Sequence, residues 1–316
     1  MRLSLIDEVE GARQILMNEV SLELGEDARM SISLCDLIVN IPHISITCYT
    51  FPRININMTS KHFVTAIVPA YNEEKTISTV LEVILSSKQV DEVICINDGS
   101  TDATREAINK FNSKVHIIDI PQNQGKGNAM AEGIKKAKGD IILFLDADFT
   151  NLTIEHIETL LNPILKDDYR VVMGILEVKP IHRIFSNLTG QRAYYKKDLL
   201  PHLKYISKSK YGAETYLNVV FNKNETKKVV IKGLLSLPKY RKLDQNTALN
   251  TYIKEGVDIA RVLTDKSILS KQGAKILKEL EDVSEVQTLK KKIKEIPDIE
   301  VRQVLEKYIL RHLRDL

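Results

Sequence analysis

Asp146 and Asp148, with only Ala147 between them, close the apolar run Ile141, Ile142, Leu143, Phe144, Leu145. Two carboxylates at that spacing repel each other unless something cationic joins them. A hard divalent cation, Mg²⁺ or Mn²⁺, would do so, taking carboxylate oxygens and completing its shell with water and substrate phosphates. An Asp-x-Asp by itself also caps turns or sits in water. A second candidate is Asn123-Gln124-Gly125-Lys126-Gly127. It lacks the spacing and Lys-Ser/Thr ending of a Walker loop, and it is not the three-glycine dinucleotide fingerprint. At a helix N-terminus, a lysine and free backbone amides suit phosphates or a base edge. Two further polar clusters are Pro69-Ala70-Tyr71-Asn72-Glu73 and Asn97-Asp98-Gly99-Ser100.

These clusters share a position in the pattern. The unalternating apolar run before Asp146 reads as a strand buried on both faces. Other strands are expected at residues 64–68, 92–96, 115–119 and 171–176. Helices are expected at 73–87, 101–111 (capped by Ser100), 128–137 and 153–165. Strands alternating with helices predict an α/β, doubly wound, mostly parallel Rossmann-like sheet. Ligands bind such sheets outside the carboxyl ends of the strands, and every polar cluster above sits at one of those ends.

The 316 residues are 43% hydrophobic and 28% charged with a formal charge of +3. That excludes wholesale disorder and gives no reason to expect nucleic acid. Cys35, Cys48 and Cys95 are scattered and odd in number, which favours a reducing, cytoplasmic setting over a disulfide framework. The sequence shows neither a signal peptide nor a membrane-spanning run. Three segments are expected: an N-terminal extension over 1–57, a catalytic domain over 58–240, and a helical, lysine-rich extension over 241–316. Residues 1–57 are read either as translation upstream of Met58 or as a small N-terminal cap. Lys290, Lys291, Lys292 and Lys294 cluster on an expected helix. Such a helix either packs as an appendage with its lysines in water or lies on an anionic membrane, peripheral at its inner face. Interspersed acids favour the first.

Four ordered motifs, IVPAYNEEKTI (67–77), INDGSTDAT (96–104), NQGKGNAMAEGIKKAKGD (123–140) and LFLDAD (143–148), resemble the catalytic domain of a family-2 glycosyltransferase with the type-A nucleotide-sugar fold. Dolichyl-phosphate sugar transferases and glucosyl-phosphoglycerate synthase-like enzymes are the most similar members, and LTGQRAYYKKDLLPHL (188–203) with YGAETYLN (211–218) resembles their acceptor side. The resemblance implies that Pro69, Ala70, Tyr71 and Glu73 line the nucleoside pocket, with Asp98 on base or ribose. Lys126 would reach base or diphosphate, and Asp146, Ala147 and Asp148 the donor, with Mg²⁺ or Mn²⁺ on the two aspartates. Arg192 would lie in a loop facing acceptor or donor phosphates. Glu214 would stand beside the transferred sugar, either as the base that an inverting transfer requires or as a grip on a hydroxyl.

The implied reaction moves a sugar from a UDP- or GDP-sugar to a lipid phosphate or small polar acceptor; a homodimer is compatible with it. Two other classes stay open. One is a nucleotidyltransferase that makes nucleotide sugars, though PAYNEE stands where its glycine- and arginine-bearing loop belongs. The other is a non-catalytic nucleotide-sugar binder. Departures from the family pattern are Asn97 in place of the usual first aspartate and the lack of any histidine between Tyr205 and Arg311 to serve as a third metal ligand. His182 and His202 are better read as surface or packing residues.

Overall fold

The structure, a computed structural model, describes residues 62–167, 169–176, 189–221, 225–237, 245–265, 280, 286–296 and 299–306. The expectations for residues 1–57 and for His182 lie outside them.

Seven strands form one sheet in the order β3-β2-β1-β4-β6-β5-β7. β1 (Val64–Ala70), β2 (Glu92–Asp98), β3 (His116–Ile120) and β4 (Ile141–Phe144) run parallel, with β1 at the centre between β2 and β4. β6 (Arg192–Tyr195) is antiparallel to both β4 and β5 (Val171–Leu176), and β7 (Thr226–Ile231) is parallel to β5. The mostly parallel, doubly wound sheet expected from the alternation of elements is therefore present.

Each face carries its own core. Val64, Ala66 and Val68 of β1 and Leu143 of β4 pack with α1 (Ile77–Ser86) and α4 (Ile154–Lys166). Ile67, Ile94, Ile96, Ile142 and Phe144 point the other way, onto α3 (Lys126–Lys136), α6 (Leu203–Lys208) and α7 (Ala213–Val220). This is the period-two alternation of strands whose two faces are both covered.

The first two helices start later than expected, for one reason, while α3 starts two residues earlier, at Lys126. α1 begins at Ile77, because residues 73–76 are used in a turn in which the Glu73 carbonyl accepts the Thr76 and Ile77 amides. α2 (Thr104–Asn109) begins three residues late, and Ser100 does not cap it. The Ser100 hydroxyl instead accepts the Asn72 amide at 3.1 Å, and Asp102 accepts the Thr104 amide at 3.0 Å. The loops after β1 and β2 are fastened to each other before either helix starts.

Past β6 the chain runs through α5 (Lys196–Leu199), a 3-10 turn at Leu200–His202, α6, a second 3-10 turn at Lys210–Gly212, and α7. α8 (Gln245–Asp265), in the segment read as an extension, packs on the second 3-10 turn and on α7. α9 (Val286–Lys294) buries Leu289 and Ile293 and exposes Lys291 and Lys294; α10 (Ile299–Leu305) follows. Among the described residues no helix is long and apolar enough to cross a membrane.

β4 carries the Asp146 turn, so its seating governs the site. Leu143 is fully buried, and Leu143→Ala should lower the unfolding free energy by about 2–5 kcal/mol, read as a fall in the urea midpoint with an unchanged slope.

Candidate active site

Beyond Phe144 the chain leaves the sheet, and Asp146 emerges at the carboxyl edge of the parallel strands. α3 starts at Lys126, and its ammonium contacts Asp146 Oδ1 at 2.5 Å and Glu214 Oε1 at 2.6 Å. One cation thus joins carboxylates from β4 and the first turn of α7. Burial by itself would lower the lysine's pKa; attraction to Asp146 and Glu214, with hydrogen bonds to both, outweighs it and holds the pKa well above the usual lysine range. Gln191 completes the cluster by donating from Nε2 to Asp146 Oδ2 at 2.5 Å. The Thr189 hydroxyl donates to Gln191 Oε1, which leaves the amide NH₂ turned to the aspartate.

Two glycines permit this approach. A Cβ on Gly190 would meet both Asp146 carboxylate oxygens and lie 2.6 Å from Lys126 Nζ, where the pair itself sits. A Cβ on Gly127 would run into the Ile206 carbonyl and stand 2.9 Å from that of Lys210. The backbone at the start of α3 therefore rests directly on the end of α6.

Asp98 serves this turn. Its Oδ1 accepts the Gln124 amide at 2.9 Å and its Oδ2 the Gly125 amide at 2.8 Å. Burial raises its pKa, and those two amides offset part of the rise. The residue expected on base or ribose is thus found anchoring the Lys126 turn. Asn97 explains its own departure from the usual aspartate. It is buried, donates from Nδ2 to Asp119 Oδ1 at 2.9 Å, and accepts the Ser100 amide at 3.2 Å. A carboxylate at 97 would face that of Asp119, which also pairs with Arg105 at 3.2 Å.

Tyr71 is 40% exposed at the end of β1. Glu73 is half-buried; its amide donates to Thr104 Oγ1 at 2.7 Å and its carboxylate accepts the Thr76 hydroxyl at 3.2 Å. Pro69 and Ala70 are within β1, and Ala70 and Ala147 are buried, so these two alanines can offer a ligand little beyond backbone. Asp148 is half-buried, and its carbonyl accepts the Leu237 amide at 2.8 Å; Phe149 bridges Ser236, so the turn after Asp146 is stitched to residues 235–237.

Arg192 requires a correction. It lies in β6, not in a loop, and is 1% exposed. Its guanidinium donates to the Thr189 carbonyl at 2.6 Å, Tyr194 Oη at 3.1 Å and Asn218 Oδ1 at 2.8 Å. It ties β6 to α7 and holds the segment bearing Gly190 and Gln191. His202 is a packing residue, with Nδ1 2.9 Å from Tyr216 Oη and its ring edge-on to Tyr216 and Phe221. Gln191 and Tyr211 join the site with little signal in the sequence pattern. Burial pushes the Tyr211 phenol up to about 12, while nearby Lys126 pulls it down, which places that hydroxyl in the field of the site.

Among the described residues no three of His, Cys, Asp and Glu come together as a metal cluster. A cation that draws on substrate phosphates needs only one or two carboxylates. Asp146, which accepts from Lys126 and Gln191, and the half-buried Asp148 are the two carboxylates of this turn.

Residues 65–216 match the sequence profile of a family described as Glycosyl transferase family 2. Over 97 residues, 30% of this chain, the sequence is 40% identical to 24% of poly-beta-1,6-N-acetyl-D-glucosamine synthase from Staphylococcus aureus (strain COL). Over 170 residues, 48% of this chain, it is 28% identical to 51% of dolichyl-phosphate beta-glucosyltransferase from Dictyostelium discoideum. The chain thus spans from about a quarter to about half of the length of these curated relatives. The fold resembles mannosyl-3-phosphoglycerate synthase from Rubrobacter xylanophilus, with TM-score 0.52 and 15% identity over 65% of this chain and 74% of that one. It also resembles glucosyl-3-phosphoglycerate synthase from Mycobacterium tuberculosis in complex with Mn²⁺ and UDP-glucose, with TM-score 0.51 and 20% identity over 67% and 81%.

Asn97→Asp should destabilise the protein by about 2 kcal/mol through the lost buried hydrogen bond and the new like-charge contact. Adding Asp119→Asn should restore most of that in a double-mutant denaturation cycle. The Lys126 pair also has a pH signature, because its folded pKa exceeds the unfolded value of 10.5. Its stabilisation is complete below that pH and lost above it as pH climbs through the folded pKa. The stability gap between wild type and Lys126→Met should accordingly stay constant from neutrality to that pH and narrow beyond it, read by denaturant titration across the alkaline range.

Proposed function

We propose that the chain, whose residues 65–216 match the glycosyl transferase family 2 profile, transfers one sugar from a UDP-sugar to a lipid phosphate or small phosphorylated acceptor, with Mg²⁺ or Mn²⁺ bound. The observation that carries this reading is the ammonium of Lys126 between Asp146 and Glu214 at the carboxyl edge of the sheet. The Mn²⁺ and UDP-glucose in the Mycobacterium tuberculosis neighbour, and the dolichyl-phosphate acceptor in the name of the Dictyostelium relative, support the choice of donor and acceptor class. A GDP-sugar is the other donor.

Breaking the bond between sugar and diphosphate leaves growing negative charge on the phosphate. Lys126 remains protonated across the neutral range and can turn from its carboxylates to that charge. A bound divalent cation, held by Asp148 with Asp146 beside it, would add Lewis-acid stabilisation of the same leaving group. Tyr71, exposed just past β1, and Glu73, two residues on, would line the nucleoside pocket. Glu214, engaged by Lys126 through Oε1, suits a grip on a sugar hydroxyl. An acceptor phosphate, already ionised at neutral pH, requires no base from it.

Calorimetry with UDP and GDP, each with and without Mn²⁺, tests the reading. UDP should bind in a metal-dependent way, and Asp148→Ala, in protein that still unfolds cooperatively, should weaken it by on the order of 10–100-fold. Failure of folded protein to bind either nucleotide would remove the assignment.

A further inference from the structure

The stretch from Lys196 to Lys208 is almost one continuous helical rod, α5, a 3-10 turn and α6 in succession. Its inner side is spoken for. Leu199 and Ile206 are fully buried, Leu203 packs against the same core, and the Ser207 hydroxyl donates to Asn128 Oδ1 of α3 at 2.9 Å. Its outer side is Lys197, Leu200, Pro201, Lys204, Tyr205 and Lys208, all exposed, recurring at the three- and four-residue intervals of one helical face.

That face has an unusual composition for water. Leu200 is 46% and Tyr205 56% exposed. The only acid in the rod, Asp198, is turned to Arg170 at 2.9 Å, so the three outward lysines have no carboxylate among them along the rod. Nor is Tyr205 a loose surface side chain. Its ring stacks on Tyr216 at 5.4 Å with 14° between planes, and Tyr216 is itself held by His202. Lys197 lies 5.3 Å above the ring of Tyr195.

We propose that this face is a membrane-docking surface that lies on anionic lipid, Leu200 and Tyr205 entering the headgroup boundary and Lys197, Lys204 and Lys208 meeting lipid phosphates. Lysines interleaved with apolar and tyrosine side chains on one helix face are what an interface-lying helix requires. An acidic protein partner would use the same charges without needing the aliphatic and aromatic anchors between them. The surface is separate from the Lys290–Lys294 cluster, where Leu289 and Ile293 are buried in the protein. The inference does not depend on the transferase reading, because lipid binding is read without substrate.

Co-sedimentation with phosphatidylcholine vesicles, with and without phosphatidylglycerol, tests it on the full chain. Wild type should partition onto the anionic vesicles only. With each lysine near the surface adding about five-fold in affinity, Lys197→Glu, Lys204→Glu and Lys208→Glu combined should weaken binding by roughly 100-fold or more. Leu200→Ser with Tyr205→Ser should weaken it at least tenfold, whereas Lys291→Glu with Lys294→Glu should leave it within a factor of three. Tyr205→Ser also gives up the ring contact with Tyr216, so a cooperative thermal transition, rather than an unchanged midpoint, confirms folding. Absence of binding by wild type, equal binding to neutral vesicles, or loss only in the Lys291/Lys294 variant overturns the proposal. So does indifference to the Leu200/Tyr205 change, which would reduce the contact to charge attraction without insertion.

Discussion

A single ammonium group decides how this site is built. Asp146 leaves the end of β4 and Glu214 opens α7, and their carboxylates come together only because Lys126 Nζ lies within 2.6 Å of both. With that cation neutralised, two partly desolvated anions would face each other across a gap that the surrounding backbone cannot widen freely. The supports follow from this. Asp98 fixes the turn before Lys126 through two amides, Gln191 takes the second oxygen of Asp146, and Gly190 leaves room for the pair. Each restricts where the ammonium can be, so the lysine comes to a ligand already positioned, with little side-chain entropy left to lose.

The antiparallel β6 has its place in the same scheme. A strand parallel to β4 would start at the opposite end of the sheet and carry residues 189–192 away from Asp146. Running antiparallel between β4 and β5 instead returns residues 189–192 to the carboxyl end of β4, where Gln191 meets Asp146. Arg192 then locks the strand from inside through the Thr189 carbonyl, Tyr194 and Asn218. The burial of the guanidinium is offset in part by these neutral oxygens, which accept three of its N–H groups. Its contribution to the site is mechanical, since it fixes the segment that contacts Asp146.

What could be read from the residues alone followed the range of the forces involved. β1, β2 and β4 were legible because strands buried on both faces must be apolar throughout, and the polar clusters at their ends followed from the sheet's polarity. The start of α1 was misplaced because Glu73 to Thr76 looks helical by composition while its polar groups are used to fasten neighbouring loops. The loop that the resemblance implies for Arg192 is a strand here, and nothing local announces its bond to Asn218, 26 residues on. Gln191 carried only a faint signal, the run Thr189-Gly190-Gln191, in which the glycine is needed because the Asp146 carboxylate and Lys126 ammonium occupy the place of a side chain. Contacts over 45 residues, such as Gln191 to Asp146, leave no trace in periodicity.

The close approach of α3 to α6 gives the outer lysine face a mechanical relation to the site. Gly127 rests on the carbonyls of Ile206 and Lys210, with no side chain between. Lys210 adopts a positive φ of 46° there, an expensive conformation for a residue with a Cβ. Contact of this kind does not slide, because backbone atoms cannot change rotamer to relieve a displacement. Whatever holds α6 from outside therefore also sets the position of the turn that carries Lys126. If lipid is what holds it, an acceptor embedded in the same surface would come to a site whose cation is braced by the membrane-facing rod itself.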